Sequence, residues 1–292
     1  MARALLSRCS DSIFPSSLLC ASMLRVFKAS GEEVLATELA EFTKMIRRDG
    51  QHVRPVRGQP VRGFHLKRHL QELCGLARFR QRLLEPNGSI LSDDATLHGP
   101  VDLQLILLPF TPSSQEQVQE LCQAARRNDT QTLARLLQRP QDPNLLWKRS
   151  APLYSAANCN SLDAARLLLE AKADKEWVSH RGITPLQVAS LCGHIEVVGL
   201  LLEAKAEKDR ADLEGRTPML LAARSDHGEV VRLLLEAKAD KDKASSLGAT
   251  PMSVAIARGS QEVLRVLLDG NEEALQVLLD GAGRPLKKRR TA

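Results

Sequence analysis

The stretch Gly182–Lys208 reads GITPLQVASLCGHIEVVGLLLEAKAEK, and it returns twice. From Gly215 the chain runs GRTPMLLAARSDHGEVVRLLLEAKADK, and from Gly248 it runs GATPMSVAIARGSQEVLRVLLDGN. Pro152, Pro185, Pro218 and Pro251 keep the phase, each 33 residues from the last. A fixed period of that size builds a stack whose units bury their apolar faces against one another.

The physics of one unit follows from its residue types. Thr184, Thr217 and Thr250 each precede a proline. Threonine caps free N–H groups at a helix start, and proline at the first helical position lacks an N–H that would be orphaned there anyway. Each Thr-Pro therefore opens a short helix with small residues at its centre: Val188-Ala189, Ala222-Ala223, Val254-Ala255. Nine residues after the threonine stands Gly193, Asp226 or Gly259, and Asn160 holds that place one period earlier. These types tolerate the left-handed backbone that ends a helix. A second helix follows, with a run such as Val197, Val198, Leu200, Leu201 and Leu202, too apolar to stand uncovered. A polar stretch then leads to Gly182, Gly215 or Gly248 in a tight turn.

On these residues the chain resembles the ankyrin repeat, a helix–turn–helix plus hairpin with a T-P-L-H-x-A signature, over roughly residues 115–282. It departs from the signature in two places. Tyr154, Gln187, Leu220 and Ser253 stand where the family has histidine, which predicts loss of the family's Thr–His hydrogen bond. Lys172, Lys205 and Lys238 stand where the family has glycine at the end of the second helix. A lysine held left-handed there costs up to about 1 kcal/mol.

The resemblance implies a concave groove lined by hairpin tips and first helices, with protein partners. The tips read Lys175-Glu176-Trp177, Lys208-Asp209-Arg210 and Lys241-Asp242-Lys243, a strip of mixed sign. The candidate contact residues are Trp177, His180, Arg181, Arg210, Asp212, Glu214, Lys243 and Ser245. Trp177 is the one aromatic among basic siblings: either a partner anchor or a side chain folded back on Val178 or Trp147.

Upstream lies a different unit. MLRVFKASGEEVLA reads as two strands joined at Ser30-Gly31. Leu39, Phe42 and Ile46 are spaced as a helical face, and the duplicated PVRG at 55 and 60 marks a loop over 53–63. Phe64–Leu73 reads as an amphipathic helix with Leu66, Leu70 and Leu73 on one face. Arg80–Leu84 is a strand, Asn87-Gly88 a turn, and Val101–Leu108 an alternating strand.

This order of elements, with GLARFRQRLLEPNGSILSDDATL and VDLQLILLPF, is similar to the ubiquitin-like β-grasp. The resemblance places Leu84, Gln104 and Ile106 at ubiquitin's partner-binding patch; the other reading makes Leu84 and Ile106 core. The segment ends LLPF without Gly-Gly, so it is expected to dock rather than be conjugated.

The expected fold class is α+β: a ubiquitin-like β-grasp domain, then an all-α ankyrin solenoid of about five repeats. The expected layout is an irregular tail at 1–22, the ubiquitin-like domain at 23–110, a linker at 111–114, and repeats over 115–282. The repeats divide as a degenerate cap at 115–149, then 150–181, 182–214, 215–247 and 248–282, the last carrying a C-terminal capping helix; a basic tail fills 283–292. The tail at 1–22 carries Arg3, Arg8 and many serines against Asp11 alone, a composition shared with transit peptides.

Little in the chain points to catalysis. His65 and His69 lie four apart as HLKRH, without the glutamate of a metalloprotease helix and with two cations between them, so a surface helix is expected. Asp93-Asp94 reads as a solvated turn. Six scattered cysteines with no CxxC pair argue for a reducing compartment rather than a zinc or disulfide framework. Residues 52–84 hold Arg54, Arg57, Arg62, Lys67, Arg68, Arg78, Arg80 and Arg82 against Glu72 alone. That block reads as a solvated basic face, an acidic-partner surface or a nucleic-acid surface, the last short of stacking aromatics. The closing Lys287, Lys288, Arg289 and Arg290 read as a nuclear-import signal or a solubilising tail.

The expectation is a monomeric, non-enzymatic adaptor in the cytoplasm or nucleus. It would use no cofactor or metal and bind protein partners, not a membrane. The alternative is a nuclear, nucleic-acid-associated regulator using the basic block and KKRR tail.

Overall fold

The computed structural model describes residues 23–38, 61–98, 101–139 and 141–268. The tail at 1–22, the helical face at Leu39, Phe42 and Ile46, most of the PVRG loop, the capping helix expected at 271–281 and the KKRR run lie outside the described residues. The chain divides into two compact units between Pro109 and Phe110.

Among the described residues the first unit is a small mixed sheet with one α-helix and a short 3-10 turn. Strands β1 (Met23–Lys28) and β2 (Glu33–Glu38) form an antiparallel hairpin. Helix α1 spans Gly63–Cys74, β3 Gln81–Leu84 and β4 Val101–Leu107. The strand order is β2-β1-β4-β3, with β1 and β4 parallel at the centre and β3 antiparallel to β4. Alternation decides what is buried: Leu24, Val26, Leu83, Leu103 and Leu105 point inward and meet Leu66 and Leu70 of α1. Leu73 departs from the expected helical face and is 51% exposed. It lies three residues past Leu70, in the last turn of the helix. Gly63 is demanded by contact: a Cβ there would sit 2.3 Å from the Ser92 carbonyl oxygen.

The second unit is a stack of helix pairs: α2 (Gln115–Arg127) with α3 (Thr130–Leu137), α4 (Pro152–Asn158) with α5 (Leu162–Glu170), and α6 (Pro185–Cys192) with α7 (Ile195–Glu203). The stack continues with α8 (Pro218–Arg224) and α9 (Gly228–Glu236), then α10 (Pro251–Arg258) and α11 (Gln261–Leu267). The threonine caps form as expected: the side chains of Thr184, Thr217 and Thr250 accept from the N–H of Gln187, Leu220 and Ser253. Ala151, which replaces threonine before Pro152, makes no side-chain cap.

The period reappears as a core. Ala156, Ala189, Ala222 and Ala255, one per period, have no exposed surface, and Leu168, Leu201, Leu234 and Leu267 are at most 2% exposed. The small residues let first helices lie close together, while the leucines fill the space between successive second helices.

Neighbouring units are also tied by recurrent polar contacts. His194 and His227 each donate from Nε2 to a carbonyl of the previous first helix, those of Asn158 and Leu191. Lys175 and Lys208 donate to the carbonyls of Ala204 and Ala237, at the end of the next unit's second helix. A cation there also meets the negative end of the helix dipole.

Candidate functional site

The hairpins are built by one position repeated along the stack. Ser179 Oγ accepts from the N–H of Arg181 and Ile183; Asp212 Oδ1 accepts from Glu214 and Arg216; Ser245 Oγ accepts from Ala249. Short polar side chains that bond the backbone a few residues on are turn makers. Successive hairpins are joined backbone to backbone, Leu213 N–H to the Arg181 carbonyl at 3.3 Å and Ser246 N–H to that of Glu214 at 3.0 Å.

The signature position behaves differently from expectation. The loss predicted at Gln187 does not occur. Gln187 is fully buried; its Oε1 accepts from Thr184 N–H at 2.8 Å, and its Nε2 donates to the carbonyls of Arg210 and Arg216 at 3.0 and 2.8 Å. An amide has donors and an acceptor, so it secures its own helix start and the next hairpin together. Ser253 Oγ likewise accepts from Thr250 N–H at 2.9 Å. Leu220 cannot, and there the reciprocal bond is absent.

The expected contact residues differ in exposure. His180, Arg181, Glu214 and Lys243 are exposed at the tips. Glu214 sits 2.9 Å from Arg216, and Lys243 donates to the Asp209 carbonyl. Asp212 and Ser245 are turned into their own hairpins instead. Asp212 is 7% exposed, and its carboxylate also meets Arg216 Nε at 2.7 Å. Arg210 is half-buried and lies 3.6 Å from Glu176. Trp177 is half-buried and meets Tyr154 edge to face, ring centroids 5.4 Å apart. Tyr154 stands at the signature position, so this pair joins a hairpin to a first helix.

Sequence reading missed a groove further along the stack. Leu213 and Leu247, on neighbouring hairpins, are 77% and 93% exposed. Together with Leu220, Arg224, Val254 and Arg258 they line a groove of about 650 Å³. The available signal was a leucine in each polar tip, in DLEG and SSLG. Their alignment with two arginines at the ends of α8 and α10 depends on stacking.

In the first unit, Leu84 pairs with Gln104 and Arg82 with Ile106 across β3 and β4. Leu83, Leu103 and Leu105 are in the core, so Leu84, Gln104 and Ile106 lie on the opposite face of the sheet, Gln104 exposed and the two apolar residues half-buried.

Asp93 corrects the solvated-turn reading. Its carboxylate meets Lys67 Nζ at 2.6 Å and Arg78 Nη1 at 3.0 Å, and both cations are nearly buried. Arg78 also lies over the rings of Phe64 and Phe79, at 4.7 and 4.0 Å. Two of the eight cations of the basic block therefore belong to the interior. Asp94 remains exposed.

His65 Nδ1 accepts from Arg62 N–H at 3.1 Å and helps start α1. Burial, with Arg62 and Arg68 nearby, lowers its pKa from the ordinary 6.5. Among the described residues no group of three potential metal ligands occurs, and no helix is long and apolar enough to cross a membrane. Cys74, Cys122, Cys159 and Cys192 are free thiols, and burial pushes Cys122 up to about 11.

The family model for ankyrin repeats, in three copies, matches residues 121–212 and 204–280. These matches span more than half of the chain, which belongs to the ankyrin-repeat family. Ankyrin repeats are in general protein–protein interaction modules. A search of curated proteins returned no match.

Proposed function

We propose that this chain is a non-enzymatic adaptor that joins two proteins. One partner binds the repeat stack over 115–282, read as five repeats, through its groove and hairpin tips. The other binds the first unit, read as a ubiquitin-like domain over 23–110, through Leu84, Gln104 and Ile106. The observation that carries the reading is a row of exposed charged tips next to two exposed leucines that line a groove. The order strand, strand, helix, strand, strand supports the ubiquitin-like reading of the first unit. The nucleic-acid alternative is weakened because Lys67 and Arg78 are engaged by Asp93.

The test is affinity capture with the intact chain beside two variants, Ile106→Asp in the first unit and Arg181→Glu/Lys243→Glu at the tips. Two distinct sets of retained proteins are expected, each lost with one variant. An intact chain that retains no protein ends the adaptor reading.

A further inference from the structure

We infer that the groove between the Leu213 and Leu247 hairpins and helices α8 and α10 takes a short segment of a partner protein carrying a bulky apolar side chain beside carboxylates. This rests on the adaptor reading and specifies the partner for one part of the stack.

Three observations lead there. First, two apolar tips are exposed side by side. Leu247 is 93% and Leu213 77% exposed, on adjacent tips, with Leu220 and Val254 forming the floor between them. Single exposed leucines are ordinary, but a contiguous patch with a concave floor marks a contact surface.

Second, the groove carries free positive charge. Arg216 is held by Asp212 and Glu214 at 2.7 and 2.9 Å. Arg224 and Arg258 line the same groove, and neither has an ion-pair partner among the described residues. Guanidinium groups at the edge of an apolar floor pair with carboxylates in a fixed, two-pronged geometry.

Third, hydrogen bonds fix the hairpins that flank the groove. Ser246 N–H bonds the Glu214 carbonyl between the two hairpins, and Gln187 holds the Leu213 hairpin, so the site is preformed and loses little order on binding. A nucleic acid would need aromatic rings to stack on, and the lining has none.

The experiment selects a random 12-residue peptide display library on the full chain. A parallel selection uses the charge-reversed variant Arg224→Glu/Arg258→Glu. Peptides enriched on the wild type are expected to carry Leu, Ile, Phe or Met next to Asp or Glu. On the reversed variant the flanking residues should become Lys or Arg, a swap that a merely structural role for the arginines does not produce. A selected acidic peptide should bind the full chain at least about tenfold more weakly after Leu247→Asp, the loss typical of a contact hot spot.

Several outcomes overturn the inference: no enrichment, peptides lacking acidic residues, or a preference unchanged by charge reversal. So does binding of a fluorescent 12-nucleotide RNA, or self-association on sedimentation, if Leu247→Asp abolishes it. If the intact chain retains partner proteins that Leu247→Asp leaves bound and no acidic peptide is selected, this inference falls while the adaptor reading stands.

Discussion

Lys172, Lys205 and Lys238 show what a single position costs the stack. Their φ angles are 63°, 60° and 61°, the left-handed region in which a side chain is strained. Lys205→Gly is expected to stabilise the protein by up to about 1 kcal/mol, seen as a higher Tm by calorimetry; an unchanged Tm would show that the lysine stem regains the loss through contacts. Gln187 is the opposite case. Its amide fills a place where the family has histidine, and three backbone groups depend on it. Gln187→Leu leaves the Thr184 N–H and the Arg210 carbonyl without this partner, while the Arg216 carbonyl keeps the Asp212 N–H, and should destabilise by about 2–3 kcal/mol in urea unfolding. Gln187→His, which restores ring nitrogens, should lose less.

At the scale of one element, helix α1 begins on a titratable acceptor. His65 must be neutral for Nδ1 to accept from Arg62 N–H. Burial lowers its folded pKa below the ordinary 6.5. Its contribution is therefore fully present above pH 6.5 and is lost as pH falls through the folded value. His65→Gln keeps an acceptor at the third helical position and removes the titration. The expected result is that wild type loses stability from just below neutrality while the glutamine variant does not, read by urea midpoints of the far-UV circular dichroism signal. Parallel curves would mean that His65 has the same pKa folded and unfolded.

Across the repeat unit, stability is a sum of nearest-neighbour terms. Helices α6 to α9 have a helix pair on both sides, whereas α2 and α3 have one on one side within the unit. Native-state hydrogen exchange should show protection rising from α2 and α3 toward α6 to α9. Uniform protection would mean that the stack opens as one block. The groove at Leu213 and Leu247 belongs to this scale as well, since neither hairpin makes it alone.

The period, the helix boundaries and the buried alanines were legible in the residue order, because each is a local matter: a capping threonine, a proline without an N–H, a left-handed stop. The first unit's strands were legible for the same reason, through alternation and a turn at Asn87-Gly88. What sequence reading missed is long-range. Asp93 looked like a solvated turn and became the counter-ion of Lys67 and Arg78; Trp177 found Tyr154; Gln187 reached the next hairpin. By itself the sequence determined which segments become helices and strands, since backbone preference and capping act within a few residues. Only the tertiary structure decided which side chains meet, because the partner of a buried charge or amide comes from a segment that folding, not chain order, brings alongside.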